Sequence, residues 1–311
     1  MAVTIMTNNW QQEFAETFGE KVKFNVPMKE HTTFHAGGNA WGMLFPAGIE
    51  EIKKAAALCR KWKMDFIPIG HGSNILCLDS GYKGIIINLA KDYRGFRWEE
   101  REGRYIVRAE AGAALTQMIR VIGAEGIGGL EFACGIPGTM GGAVSGNAGA
   151  FGDSIMEHVS SLEILKKTGE VVSLDKGSMR YGYRYTELKK GAVVIRAEMI
   201  LDAVDPEEFN RKSEIYIKER RMKQPSEPYT AGSIFKNPEG DSAGRLIDAA
   251  GLKGESVGGA VVSAKHANFI VNRGNASARD ILELINIMHD KVFAKTGVSL
   301  DPEIKIIGKG L

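Results

Sequence analysis

The sequence has few of the features that mark a disulfide-bonded, zinc-binding or membrane-spanning chain. Its three cysteines, Cys59, Cys77 and Cys134, stand singly and form neither a CxxC pair nor an even framework. That usage favours a reducing compartment and argues against disulfides or a zinc site. No apolar run approaches the roughly 18 residues of a membrane span, and the N-terminus lacks the basic start and apolar core of a signal peptide. We therefore expect a cytoplasmic protein with no membrane partner.

The charge balance and the absence of common motifs exclude further classes. Lys and Arg number 40 against 38 Asp and Glu, a formal net charge of +2, which gives no basic surface for nucleic acid. The sequence has no HExxH, no GxGxxG after a strand and no GxxxxGKS/T, so a zinc hydrolase, a Rossmann site and a P-loop are not predicted. With 44% apolar and 25% charged residues over 311 positions, the chain is typical of a folded protein of about two domains.

Glycine is abundant, and it is concentrated in two places. The segment GIPGTMGGAVSGNAGAFG over residues 135–152 contains seven glycines. Because glycine loses the most conformational entropy on folding, such a density needs a reason: a flexible linker, or a backbone that lies against a flat or charged group. A second loop, GHGSN over 70–74, follows an apolar strand and can form an anion-binding concavity. Tight turns explain either loop alone equally well, whereas two such loops in one domain would suit a dinucleotide such as FAD.

Hydrophobic periodicity predicts regular elements on both sides of these loops. The predicted elements are a helix over 48–63, strands over 64–70 and 84–90, hairpins over 95–112 and 159–175, a strand over 192–201, a charged helix over 205–225 and a long helix from Ser277. The longer glycine segment therefore lies between regular elements of one domain, whereas a linker would join domains and be more polar.

Six motifs, taken in order, resemble one known family. They are HTTFHAGGNA (31–40), GHGSNIL (70–76), ACGIPGTMGGAVSGNAGAFG (133–152), YGYRYTELK (181–189), AGSIFKNP (231–238) and LDPEIKIIG (300–308). Together they cover nearly the whole chain and resemble the UDP-N-acetylenolpyruvoylglucosamine reductases. The short run between Gly182 and the strand at 192 resembles the compact subtype, which lacks an inserted substrate-capping loop.

The resemblance implies an α+β fold in two parts. Residues 1–203 would form a two-lobed FAD-binding domain of the vanillyl-alcohol oxidase (PCMH) type, with lobes over about 30–90 and 91–203. Residues 204–311 would form an α+β substrate-binding domain, whose last strand (about 303–308) returns to the FAD region. We expect a monomer or a weak oligomer.

The resemblance also implies FAD as cofactor, with NADPH as co-substrate, and places the glycine segment along the FAD pyrophosphate and the flavin edge. The residues implied to bind the cofactor are Gly70, Gly72, Ser73, Asn74 and Ile75 in the first loop, and Gly138, Thr139, Gly141, Gly142, Ala143, Gly146 and Asn147 in the second.

The family reduces UDP-N-acetylglucosamine enolpyruvate to UDP-N-acetylmuramate in peptidoglycan precursor synthesis. Hydride passes from flavin N5 to C3 of the enolpyruvyl group, and negative charge develops at C2 beside a carboxylate. By resemblance, Arg184 and Glu303 stabilise that charge and Ser233 protonates C2. A bare carboxylate would repel the intermediate, so we predict a raised pKa for Glu303, caused by burial and nearby negative charge.

Without the resemblance these residues have ordinary interpretations. Arg184 would be a surface arginine between tyrosines, Glu303 would pair with Lys305 on its own strand, and Ser233 would belong to a turn. The residues implied to contact the uridine diphosphate are Tyr183, Lys236 and Asn237, with Arg220 and Arg221 as phosphate ligands or, alternatively, a solvated helix face.

Two other functions stay open at this point. Another flavin oxidase of the same superfamily would share the glycine loops but not the roles of AGSIFKNP and DPEIKIIG. A nucleotide-sugar-binding protein without turnover would bind UDP-sugars and no FAD.

Overall fold

The computed structural model describes residues 9–189 and 191–308. Its helices are α1 (Asn9–Phe18), α2 (Ile49–Lys61), α3 (Leu115–Ala124), α4 (Met140–Ser145), α5 (Ile155–His158), α6 (Pro206–Lys223), α7 (Ala243–Ala249) and α8 (Ala278–Thr296). Over these ranges no helix is long and apolar enough to cross a membrane. The same ranges contain no group of three or more His, Cys, Asp or Glu side chains placed to hold a metal ion.

The first lobe is a mixed sheet covered by a crossover helix. Its strands are β1 (Val22–Pro27), β2 (Asn39–Leu44), β3 (Asp65–Ile69) and β5 (Tyr82–Asn88), in the order β1-β2-β5-β3. Strands β2, β5 and β3 run parallel, and α2 supplies the helical connection that parallel neighbours need. The isoleucine run of β5, Ile85 to Ile87, is fully buried, as expected of a strand covered on both faces.

The second lobe is built on an antiparallel sheet. Its strands are β6 (Phe96–Arg101), β7 (Arg104–Glu110), β11 (Val159–Leu165), β12 (Val171–Asp175) and β15 (Val193–Ala203), in the order β12-β11-β15-β7-β6. Strand β8 (Ile127–Gly128) pairs with the end of β15. Both predicted hairpins are confirmed. Glu102 and Gly103 have φ of 54° and 77°, the left-handed conformations that a tight hairpin turn requires.

Two short hairpins project from the second lobe. Strands β9 (Gly149–Ala150) and β10 (Asp153–Ser154) form one, and β13 (Tyr181–Gly182) and β14 (Tyr185–Thr186) form the other. The tip of the second hairpin is the pair Tyr183-Arg184.

The C-terminal part is built around α8, whose core also includes Phe34, Ala36 and Leu76 of the first lobe. Strands β16 (Ser256–Val257), β17 (Ala260–Val262) and β18 (Ile270–Asn272) form a small antiparallel sheet. Helix α8 begins at the predicted cap, where Ser277 and Asp280 form a capping box. The last strand, β19 (Lys305–Ile307), leaves this core and runs parallel to β4 (Ile75–Cys77) in the first lobe.

Helix α6 lies where the sequence places the start of the substrate domain. Its Phe209 is buried in the core of the second lobe, and its ring packs on Gly123 of α3, where any β-carbon would collide with it. The core around α8 contains Ala231 and residues after it, together with Phe34, Ala36 and Leu76 of the first lobe. The boundary at residue 204 stays a prediction, but the buried face of α6 packs with the preceding lobe.

Candidate active site

Arg184 stands at the tip of a short hairpin that is fixed to the glycine segment. Its φ of 54° lies in the left-handed region, which costs a non-glycine residue about 1 kcal/mol or more. The Thr186 hydroxyl donates to the Val144 carbonyl at 2.6 Å, and Asn147 Nδ2 donates to the Gly182 carbonyl at 2.8 Å. The hairpin is therefore held on α4 and the turn that follows it.

Glu303 and Ser233 lie on two extended segments that pair with each other. The Glu303 amide donates to the Ile234 carbonyl at 2.7 Å, and Phe235 forms an antiparallel bridge with Pro302. Ser233 immediately precedes Ile234 and is half-buried. Two residues from motifs about 70 positions apart are thus adjacent in the fold.

Arg184 and Glu303 form an ion pair, with Nε and Oε1 2.7 Å apart and side chains 24% and 20% exposed. Burial raises the pKa of the Glu303 carboxyl, while Arg184 and then Lys236 act to lower it. The predicted rise is confirmed. Nearby negative charge, the second cause we expected, is wrong, because the charges that act on Glu303 are positive. Among the described ion pairs, Glu303 is paired with Arg184 and not with Lys305.

The two glycine loops are in direct contact with each other. A β-carbon at Gly70 would collide with Thr139 Oγ1, and Ser73 Oγ donates to the Pro137 carbonyl at 3.1 Å. Gly72, with φ of 67°, packs on the His31 carbonyl. These contacts explain the small residues of the first loop by packing within the chain.

Two glycines of the longer segment, Gly142 and Gly146, have no such explanation. By contrast, Gly141 packs on Ala111, where an added β-carbon would lie 2.7 Å from the alanine methyl group, and Gly138 has φ of 139°. Gly142 and Gly146 have no positive φ, and an added β-carbon would meet only ordinary contacts at 3.7 and 3.6 Å. Being four residues apart, they share one face. No contact within the chain requires glycine at these two positions. The bare backbone face therefore fits a cofactor that lies against it, as FAD would.

Arg220 on α6 is a second, half-buried cation near Arg184. Its Nε and Nη2 are buried without a hydrogen-bond partner among the described residues. Burial lowers its pKa, and so does the nearby charge of Arg184. Because an unpaired buried charge is costly, this arrangement favours an anionic ligand. The neighbouring Arg221 is exposed, and its carbonyl accepts a hydrogen bond from Lys265 Nζ at 2.6 Å.

The residues implied to bind the substrate lie beside the ion pair. Tyr183 is 56% exposed, its ring centre is 5.2 Å from the Arg184 guanidinium carbon, and its hydroxyl accepts a hydrogen bond from the Asn237 amide at 3.2 Å. Lys236 acts electrostatically on Glu303. Tyr183, Lys236 and Asn237 therefore lie around the same ion pair.

Three asparagines have contacts that the sequence analysis missed. Asn74 Nδ2 donates to the Glu303 carbonyl at 3.2 Å, and Asn147 holds Gly182 as described above. Asn268 binds both backbone groups of Phe235, at 2.9 and 2.8 Å. No periodicity or spacing distinguishes an asparagine that supports a distant backbone from one in an ordinary turn.

Comparisons with known proteins agree with this arrangement. A model of a FAD binding domain matches residues 42–175. A model of the C-terminal domain of UDP-N-acetylenolpyruvoylglucosamine reductase matches residues 224–307.

Similar proteins match almost end to end. The chain is 40% identical over 303 residues to the UDP-N-acetylenolpyruvoylglucosamine reductase of Geotalea uraniireducens, covering 97% of this chain and 99% of that one. It is 41% identical over 290 residues to the enzyme of that name from Caldanaerobacter subterraneus subsp. tengcongensis, covering 93% and 94%. The crystal structure of the Thermus caldophilus reductase superposes with a TM-score of 0.78 at 33% identity, covering 91% of this chain and 98% of that one. The chain belongs to the UDP-N-acetylenolpyruvoylglucosamine reductase family.

Proposed function

We propose that this protein reduces UDP-N-acetylglucosamine enolpyruvate to UDP-N-acetylmuramate, with FAD as cofactor and NADPH as reductant, in peptidoglycan precursor synthesis. The observation that carries the proposal is the Arg184–Glu303 ion pair, with its 2.7 Å separation, next to the segment that carries Ser233. Family membership supplies the substrate, and the site supplies groups suited to its chemistry.

The glycine loops would hold FAD. The bare face of Gly142 and Gly146 leaves room for a flat or charged group. Backbone N–H groups of glycine-rich loops bind phosphate oxygens well. When bound, FAD supplies the hydride transfer from NADPH to C3 of the substrate double bond.

Arg184 and Glu303 would stabilise the charge that develops at C2. Arg184 keeps its charge and can bind the adjacent carboxylate through two N–H groups. Glu303 can contribute only while it holds or shares a proton, and the burial that raises its pKa favours that state. The pair is then arranged for the charge of the transition state.

Ser233 would donate the proton that completes the reaction at C2. A serine hydroxyl is a weak acid, but a carbanion at C2 is a far stronger base than an alkoxide, so donation is downhill once the two groups are in contact. Its backbone is fixed by the pairing of Ile234 with Glu303, which keeps donor and stabilising carboxyl in one arrangement.

The nucleotide half of the substrate would bind around Tyr183, Lys236 and Asn237. Of the two arginines considered for phosphate, Arg220 is the better placed, since its Nε and Nη2 are buried without a hydrogen-bond partner among the described residues, whereas Arg221 is exposed. A diphosphate or carboxylate oxygen there would satisfy the N–H groups of Arg220.

We further propose that the protein acts in the cytoplasm as a monomer or weak oligomer, without a nucleic-acid or membrane partner. All three cysteines are free and buried, as suits a reducing compartment. The near-neutral net charge gives no electrostatic attraction to nucleic acid or to anionic lipid.

The test is NADPH oxidation by the purified, FAD-loaded protein on addition of UDP-N-acetylglucosamine enolpyruvate. We expect substrate-dependent oxidation and a product heavier by two hydrogen atoms, with UDP-N-acetylglucosamine, which lacks the double bond, as the inert control. NADPH oxidation that needs oxygen but not the substrate would favour a flavin oxidase. Binding of UDP-sugars without flavin or turnover would favour the nucleotide-sugar-binding alternative.

A further inference from the structure

Each glycine loop contains one asparagine whose side chain is engaged with the protein backbone. In the second loop, Asn147 is 4% exposed. Its Oδ1 accepts from the Met156 amide at 3.1 Å, and its Nδ2 donates to the Gly182 carbonyl at 2.8 Å. Gly182 is paired with Tyr185 across the neck of the hairpin. The side chain therefore ties the loop to the hairpin whose tip is Arg184.

The asparagine of the first loop contacts the other member of the ion pair. Asn74 Nδ2 donates to the carbonyl of Glu303 at 3.2 Å. The Asn74 carbonyl accepts from the Lys305 amide at 3.0 Å, which aligns β19 with β4. The Glu303 backbone is thus held on one side by Asn74 and on the other by Ile234.

We propose that Asn74 and Asn147 are positioning residues for the Arg184–Glu303 pair, with Asn147 placing Arg184 and Asn74 placing Glu303. The pair joins a left-handed hairpin tip to the start of the last strand, segments about 120 residues apart in the chain. Its 2.7 Å separation therefore depends on both supports. Asn147 directly follows Gly146 of the glycine-lined face, and Asn74 belongs to the loop that packs against the glycine segment through Ser73 and Pro137.

This role differs from a purely structural one in what it predicts for Glu303. Arg184 acts to lower the pKa of Glu303 against the effect of burial. If Asn147 acts through Arg184, its removal weakens that effect, and the pKa of Glu303 rises although the side chain of Asn147 bonds to Gly182 and Met156 and not to Glu303. A residue that only stabilised the fold would leave this titration unchanged.

The experiment is a titration of the Glu303 carboxyl by carbon-13 NMR in the FAD-loaded protein, with the resonance assigned by comparison with Glu303→Gln. The first variant is Asn147→Gly, because Asn147 has φ of 41° and glycine removes the amide without adding strain to that backbone, as alanine would. The second is Asn74→Ala, which acts on the other member of the pair if the first variant fails to fold.

The matched control is Asn88→Ala. Asn88 is also buried, and its Oδ1 accepts from the Ala90 amide at 3.0 Å. We expect an upward shift of the Glu303 pKa in Asn147→Gly and in Asn74→Ala, and none in Asn88→Ala. When Arg184 is already replaced by alanine, Asn147→Gly should cause no further shift.

Kinetics supply a second readout that rests on the proposed function. Reoxidation of the reduced enzyme by substrate should slow roughly 5- to 30-fold in each variant, the effect of losing one or two kcal/mol. The decrease in reoxidation rate caused by Asn147→Gly should not add to the decrease caused by Arg184→Ala. An inert substrate with the unmodified enzyme would contradict the proposed function, while the titration would still decide the positioning role.

Two results would overturn the proposal. One is an unchanged Glu303 pKa in both variants with normal flavin content. The other is loss of flavin from both variants with the Glu303 pKa unchanged, which would make the two asparagines cofactor ligands and nothing more.

Discussion

A carboxyl group beside a developing negative charge is useful only while it holds a proton, and the surroundings of Glu303 meet that condition. Burial raises its pKa, and Arg184, paired with it at 2.7 Å, limits the rise. Arg220 brings a second positive charge, whose buried Nε and Nη2 have no hydrogen-bond partner among the described residues. The site therefore contains excess positive charge before any substrate binds, as suits a substrate with a diphosphate and a carboxylate.

The raised pKa of Glu303 predicts a specific pH dependence of stability. The folded state binds this proton more tightly than the unfolded state, whose glutamate pKa is about 4.5. The resulting stabilisation is complete below pH 4.5 and is lost as the pH rises through the raised pKa. Glu303→Gln does not undergo this pH-dependent loss of stabilisation. Its free energy of unfolding, measured with urea, should therefore rise relative to that of the wild type between acidic and neutral pH.

Asp241 is the control with the opposite sign. Its hydrogen bonds, first to Arg245, lower its pKa to about 2. The resulting stabilisation of the fold is therefore present above the ordinary aspartate pKa of 3.8 and is lost as the pH falls towards 2. Asp241→Asn should therefore become less stable relative to the wild type as the pH rises. If Glu303→Gln follows the same trend as Asp241→Asn, the raised pKa of Glu303 is wrong.

Ser233→Ala should separate the two halves of the reaction. Reduction of the flavin by NADPH should stay normal, because no proton from Ser233 is needed there. Reoxidation by substrate should slow roughly 100- to 10,000-fold, the usual cost of removing a positioned acid. Stopped-flow absorbance measures both steps, and Ser233→Cys, which keeps a transferable proton, should recover part of the second. A slow first step in Ser233→Ala would argue that the serine has another role.

At the scale of elements, the glycine segment is not a continuous loop. Residues Met140–Ser145 form the short helix α4, which the sequence analysis did not predict because glycine and serine are poor helix formers. Tertiary packing overrides that preference, since Met140 and Val144 are fully buried in the core. The long helices and both hairpins were predictable, because their periodicity, caps and turn residues all indicate the same structure.

The glycines of α4 give a matched pair of substitutions. Gly141→Ala would place a methyl group 2.7 Å from Ala111 and should destabilise the protein without FAD by about 1–3 kcal/mol. Gly142→Ala would meet only an ordinary contact at 3.7 Å and should leave that stability unchanged or raise it by up to about 1 kcal/mol. We nevertheless expect Gly142→Ala to weaken FAD binding, measured by flavin fluorescence titration. Unchanged affinity for FAD would show that the cofactor does not lie on this face.

At the scale of the molecule, the two parts are joined by contacts that no local pattern reveals. Strand β19 extends the first lobe beside β4, and both Asp79 carboxylate oxygens accept backbone N–H groups at the start of α8, at 3.0 and 2.9 Å. The family resemblance predicted the return of the last strand, because Glu303 must reach the flavin. The asparagine supports and the Asp79 contact depend on tertiary placement, so the sequence alone could not predict them.

Asp79→Ala tests whether this junction makes unfolding cooperative. The substitution should lower the free energy of unfolding by about 1 kcal/mol, as the loss of a helix cap does. It should also separate the unfolding transition measured by flavin fluorescence from the one measured by helical circular dichroism. Ser277→Ala removes a cap of similar strength within the C-terminal part and should leave the two transitions coincident. Coincident transitions in Asp79→Ala would contradict a coupling role for this contact.

The most direct test of the whole account is the visible spectrum of the purified protein through one anaerobic cycle. Addition of NADPH should bleach the flavin band at about 450 nm, and addition of UDP-N-acetylglucosamine enolpyruvate should then restore it fully. Bleaching and recovery would demonstrate both half-reactions at one site. Bleaching without recovery would contradict the proposed substrate, and no flavin band after reconstitution with FAD would contradict the role of the glycine segment itself.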